Sequence, residues 1–255
     1  MPAIIVVNTT ADDAALDSLR AAIMSINQQS DVNPNIQRTG DYTNTLGPVP
    51  WGYDTIQFAP SLAGQTVNLL QIGDMTLGPT ALPVGLSTSQ SSSILIDGTN
   101  SPGLTISGGP AGTNLRLFYV HANSSLALKH LTVSDGQARG GMGEFPGGGG
   151  GGGLGGAVFS EGTVGVVRCT FLDNQAVGGD GGEGFSRNLG GAGGGPNGGL
   201  GGNMTNGGDG GFGGGGGGGG NFSQGGAGGF GGGGGGAGAD GVPRQRRLRR
   251  RWRRR

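Results

Sequence analysis

The chain has 255 residues, 65 of them glycine, only 5% aromatic residues and a formal net charge of zero, which excludes one ordinary hydrophobic core running through all of it. Nine of the sixteen basic residues are arginines in the last twelve positions, so the rest carries 7 basic against 16 acidic residues, a net of −9 that would repel phosphate backbones. The single cysteine, Cys169, excludes an internal disulfide, and no apolar run reaches the ~18 residues of a membrane-spanning helix.

In chain order, "MPAIIVV" lacks a basic n-region and is too short for a signal peptide, so an exported protein would carry its leader elsewhere or use an unusual route. "DSLRAAIMSINQ" predicts a helix capped by Asp17 or Ser18, with Leu19, Ala22, Ile23 and Ile26 on one face. "DTIQFAPSLAGQTVNLL" and "MTLGPTALPVGLS" read as strands broken by Gly and Pro turns. Further on, Leu117–Ala138 aligns with Gly155–Ala176 at an offset of 38 residues without a gap. Leu126, Leu128, Leu131 and Val133 fall on Val164, Val166, Cys169 and Phe171. The apolar alternation skips a step at Lys129-His130 and Val167-Arg168, which predicts two short strands joined by a bend. Leu104, Ile106 and Gly108 echo Leu131, Val133 and Asp135 as an earlier copy. Units this short bury a core only by stacking as coils of a solenoid, with the helix as a natural cap for the open apolar end.

Two glycine tracts follow the two copies, each beginning just after a "QA". Residues 139–154 form the smaller, and the larger runs over 178–243, with 38 glycines between Gly178 and Gly241. With almost no side chains to bury, such segments are expected to be mobile loops inserted at one corner, disordered or irregular. The competing reading is packed polyglycine helices that hydrogen-bond sideways. The tail 244–255, "RQRRLRRRWRRR", is what a glycine- and phenylalanine-coding tract yields when read one base out of frame. It is expected to be an out-of-frame end rather than a basic arm, with no nucleic acid as partner.

"GGAV" at Gly155–Val158 followed by "FLDN" at Phe171–Asn174 resembles the GGA[ILV] and FxxN repeat pair of chlamydial-type polymorphic outer membrane proteins. The chain to Gly178, through "VVNTT…DSLRAAI", "DTIQFAPSLAG", "ILIDG…LTISG" and "GTVGVVRCTFLDN", is similar to the start of large bacterial extracellular β-helix proteins. The resemblance implies an all-β, right-handed parallel β-helix of the pectin-lyase-like kind over 1–177, with the short N-terminal helix as its cap. It implies secretion or display at a bacterial cell surface or outer membrane, with any membrane association resting on regions outside this chain. Only one full GGA[ILV]…FxxN unit is present, and Leu117–Ala138 lacks both halves.

The functional expectation is a non-enzymatic passenger or stalk, adhesin-like or structural, monomeric, meeting a surface ligand that is carbohydrate or protein. Two alternatives stand beside it: a carbohydrate-active enzyme whose catalytic coils lie outside this chain, and an ice- or surface-binding glycine-rich protein. No catalytic residue is expected. Lys129 and Arg168 at the bends are the residues that a lyase reading would use as base, but the lyase and hydrolase signatures are missing. His121 and His130 are expected to be exposed bend residues, and Cys169 a core filler. No cofactor is expected. Asp135 and Asp173, stacked on neighbouring coils, and Asp240 in "GGAGADGV" are the candidate Ca²⁺ ligands, set against the favoured reading of a polar turn ladder.

Overall fold

The computed structural model describes residues 1–42, 53–87, 90–110, 114–183, 189–195, 198–202 and 205–238. They fall in two compact units, one of residues 1–138 and 155–176, the other of 139–154 and 177–255. The tail 244–255, "GGAGADGV" in part and Asp240 lie outside the described residues.

The first unit is mostly sheet. One sheet orders β2 (Arg38–Thr39), β1 (Ile4–Val7), β3 (Asp54–Phe58), β6 (Ser93–Asp97), β9 (Ser125–Lys129) and β13 (Thr163–Val167), parallel throughout except for β1 with β2. A second parallel sheet orders β4 (Thr66–Asn68), β7 (Thr105–Ser107), β10 (Thr132–Ser134) and β14 (Thr170–Leu172). A third orders β5 (Thr80–Val84), β8 (Arg116–Val120) and β12 (Val158–Ser160), and β11 (Gln137–Arg139) pairs with β15 (Gln175–Val177). Among the described residues no helix is long and apolar enough to cross a membrane.

Register explains the strand sequences. Parallel pairing places alternate residues in columns, and the columns are apolar: Ile5, Ile56, Ile96, Leu128 and Val166 in the first sheet, Val67, Ile106, Val133 and Phe171 in the second. Ile5 through Leu128 and Val67 through Val133 are fully buried, each contributing about 1.5–3 kcal/mol relative to exposure. The last members break the pattern. Val166 is 47% and Phe171 43% exposed, because no strand among the described residues pairs on the far side of β13 or β14. The repeat alignment sets Phe171 on Val133 and so predicts an inward, buried ring, which is corrected here: its column is right and its cover is missing. Cys169 at the same edge packs against the core while staying partly exposed.

The single α-helix among the described residues, α1 (Leu19–Gln28), starts where predicted. Ser18 is the cap, its hydroxyl accepting from the Ala21 N–H at 3.1 Å. Leu19, Ala22, Ile23 and Ile26 are all buried, and the helix packs on β1, β3 and β5. The two bends are built by left-handed residues, His130 at φ 54° and Arg168 at φ 52°. A left-handed residue reverses the side-chain alternation, which is the skipped step in the sequence pattern. The gapless 38-residue alignment holds for β9 with β13 and for β10 with β14, but β12 pairs Val158 with Phe118, 40 residues away. The connection His121–Ser124 is two residues longer than Glu161–Gly162, so the strand pairing departs from the gapless repeat at β12.

The glycine unit corrects the expectation of a mobile, irregular region. Its described residues form extended segments at 139–144, 147–152, 177–182, 190–195, 198–202, 205–210, 213–220, 223–229 and 231–238, held by backbone hydrogen bonds that repeat every third residue. Gly213, Gly216 and Gly219, for example, donate to Phe230, Gly233 and Gly236. A three-residue period is that of the polyproline II conformation, which makes no internal hydrogen bonds and so offers every amide sideways. The segment 213–220 bonds to six neighbours: 147–152, 190–195, 198–202, 205–210, 223–229 and 231–238. All eight of its glycines are buried. Glycine is required there because a Cβ at Gly215, Gly216 or Gly217 would collide with the carbonyl of Gly149, Gly226 or Leu200. The ordering entropy that argued for disorder is offset by pairing amides that would otherwise face water singly.

Candidate functional site

Where the first sheet bends into the second, five polar side chains come together. Lys129 Nζ donates to Asp97 Oδ2 at 3.0 Å, and the Thr99 N–H donates to Asp97 Oδ1 at 2.9 Å, with the Thr99 hydroxyl donating to the same oxygen. Burial raises the Asp97 pKa, but the hydrogen bonds from Thr99 and Lys129 and the Lys129 charge outweigh it and hold the carboxyl below its ordinary value. His130 Nδ1 lies 2.7 Å from Thr99 Oγ1, and Arg168 Nη1 lies 3.5 Å from His130 Nε2. A guanidinium only donates, so in this contact Nε2 is the acceptor. The row borders a shallow groove of about 400 Å³ that Thr132 and Thr170 also line. Lys129 is thus occupied by Asp97, and Arg168 offers its remaining donors at the surface.

Asp135 and Asp173 each come just after the paired strands β10 and β14, at φ 59° and 52°. The Asp135 carboxylate accepts from the Ser107 and Ser134 hydroxyls at 2.9 and 2.6 Å. These bonds fit a polar turn. Among the described residues no group of three or more His, Cys, Asp or Glu could hold a metal ion. The repeat motif has a different job. Asn174 donates to the Val133 carbonyl at 2.8 Å and accepts from the Gly136 N–H at 2.9 Å, tying one turn to the preceding one. Gly156 admits no Cβ because the Gln175 carbonyl occupies that place, and Ala157 is the small buried residue beside it.

Sequence reasoning missed two other features. Arg20, on the buried side of α1, donates to Asp12 at 2.6 Å and to the Ala81 and Gln71 carbonyls at 2.9 and 2.7 Å. Asp17 is only 4% exposed and neither carboxylate oxygen has a hydrogen-bond partner among the described residues, and burial raises its pKa.

In the glycine unit, the described phenylalanines sit at the turns. The register brings Phe145, Leu189 and Phe222 to the end where 213–220 finishes, 69%, 53% and 72% exposed. At the opposite end Phe212 and Phe230 stack with centroids 5.4 Å apart and planes 2° from parallel. Phenylalanine within a glycine run is the signal that could have marked these turns. No protein-family model, curated protein or solved structure matches the chain.

Proposed function

We propose that this chain is a non-enzymatic protein of the cell surface or of secretion, adhesin-like or structural, built on a right-handed parallel β-helix and carrying its contact surface on the glycine unit. The β-helix reading is supported by strands 27 to 40 residues apart pairing in parallel with like residues in register. Right-handedness follows from the near-universal hand of parallel crossover connections. Such a stack holds a shape over distance and supplies few converging groups, which suits a spacer or passenger.

One observation carries the functional part: Phe145, Leu189 and Phe222 stand exposed at one end of a lattice whose backbone is hydrogen-bonded. Aromatic residues on a rigid support give contact area at low entropic cost. The partner class is a carbohydrate or a protein on another surface. The test is adsorption of the full chain to arrayed glycans and to matrix protein, compared with the triple variant Phe145→Ser, Leu189→Ser, Phe222→Ser. Loss of retention in the variant supports the reading, and equal retention removes the glycine unit as the contact surface. The open groove beside His130 and Arg168 favours the carbohydrate-active alternative, so the same chain is assayed on polyuronates, where appreciable turnover would sink the non-enzymatic reading.

A further inference from the structure

The hydrogen-bond pattern around 147–152 leaves one place in the lattice empty. Gly149 and Gly152 donate to 213–220, and Gly148 and Gly151 donate to 139–144. Its carbonyls accept from Gly194, from Gly179 and Gly182, and from Gly233 and Gly236. A threefold extended helix sends its N–H groups in three directions and its carbonyls in the three between them, one direction for each of six neighbours. Five of those directions are taken. The sixth belongs to the row that contains Gly150, whose N–H has no partner among the described residues.

That direction opens between 177–182 and 231–238, into a groove of about 420 Å³ lined by glycine alone. The same threefold count turns the carbonyls of Gly179 and Gly182 on one wall, and of Gly231 and Gly234 on the other, toward the gap. None of these carbonyls accepts a hydrogen bond among the described residues. The groove is therefore a row of donors flanked by two rows of acceptors.

A second observation is independent of this count. Buried lattice glycines have no room for a Cβ, and neither do the groove's own Gly150, Gly179 and Gly182, but exposed positions on its walls do: the nearest atoms to a Cβ at Gly181, Gly234 and Gly178 would be 3.5, 3.6 and 3.7 Å away. Exposed positions elsewhere in the unit use such room for Met142, Glu144, Leu200, Asp209 and Ala227. Around the groove the room is left unused, which keeps the backbone accessible.

We propose that this groove binds an extended glycine-rich segment of another polypeptide chain, which enters as the missing sixth neighbour of 147–152. The incoming carbonyls accept from the Gly150 row, and the incoming N–H groups donate to the walls. Side chains on the inner faces of the ligand would strike the groove as a Cβ strikes the lattice interior. At about 3.1 Å per residue, six residues of ligand span the length of 147–152.

The test uses the full chain and two labelled probes flanked by lysines, octaglycine and octaproline. Proline adopts the same helix and has no N–H. Octaglycine is expected to bind and octaproline not, with Gly181→Leu and Gly234→Leu each weakening octaglycine at least tenfold at an unchanged unfolding midpoint. Ala227→Leu, on another exposed position, is expected to leave binding unchanged. Amide exchange at Gly150 is expected to slow when octaglycine is added, a readout that needs no variant. Failure of octaglycine to bind, equal binding of octaproline, or unchanged Gly150 exchange at saturating octaglycine would overturn the proposal.

Discussion

The two units of this chain solve one problem by opposite means. In the sheet unit the backbone pairs in ladders, and apolar columns such as Val67, Ile106 and Val133 exclude water from them. In the glycine unit there are no columns, and the segment 213–220 is buried by six neighbouring backbones instead. The sheet unit tolerates exchange of one apolar residue for another of similar volume. The glycine unit tolerates almost nothing at its centre, because the feature being selected is the absence of a side chain.

The largest effect that breaks the comparison is expected at Ile106→Asp. It places an unpaired carboxylate in a fully buried column and is expected to cost about 4 kcal/mol or more, read as a collapse of the sheet unit's denaturant transition. Phe171→Asp in the same column is expected to cost only about 1 kcal/mol, since that ring is 43% exposed. Equal midpoints for the two would refute the open edge at Phe171. Next comes Gly217→Ala, whose Cβ meets the Leu200 carbonyl. It is expected to cost about 2–3 kcal/mol, seen as faster amide exchange across 213–220 with the sheet amides unchanged. A silent Gly217→Ala would mean that the lattice is looser than its hydrogen bonds state.

Asn174→Ala removes two turn-to-turn hydrogen bonds and leaves the Gly136 N–H unsatisfied, an expected loss of about 2 kcal/mol in the sheet unit. Asn174→Asp retains the acceptor and is expected to lose less. The smallest effect has the opposite sign. Burial raises the Asp17 pKa in the folded chain, so the folded state holds its proton more tightly than the unfolded one, and stability falls as pH rises from the unfolded value through the folded one. Asp17→Asn is expected to raise stability at pH 7 by about 1 kcal/mol and to leave it unchanged at pH 3. A variant that destabilises at both pH values would show that Asp17 has a partner in solution.

Much of the sheet unit was legible because its register makes chemistry periodic. The alternation around Leu126 and Leu128, and the skipped step at His130 and Arg168, are direct images of strand and bend. The cap at Ser18 was legible for a local reason, since a hydroxyl at that position satisfies a helix N–H within three residues. Exposure of Phe171 was not, because a sequence column carries no information on whether another strand follows it in space. Arg20 and Asp12 were invisible for a similar reason: their partners, at Gln71 and Ala81, are set by packing. The glycine lattice was misjudged by weighing ordering entropy against side-chain burial alone. Hydrogen bonds at a period of three leave no mark in a run where every residue is the same. The interruptions were the readable part, since Phe145, Phe212, Phe222 and Phe230 each fall at a turn.

The six-neighbour burial of 213–220 also fixes how the molecule responds to temperature. Heat capacity rises on unfolding where apolar surface meets water and falls where polar surface does. Unfolding the glycine lattice exposes mainly peptide groups, so its heat-capacity change per residue should be near zero or negative, against about 12–15 cal/mol/K for an ordinary domain. Its stability curve then has little curvature. Cooling weakens the apolar columns of the sheet unit but continues to favour the amide lattice, so the glycine unit gains stability toward the freezing point while its neighbour passes a maximum.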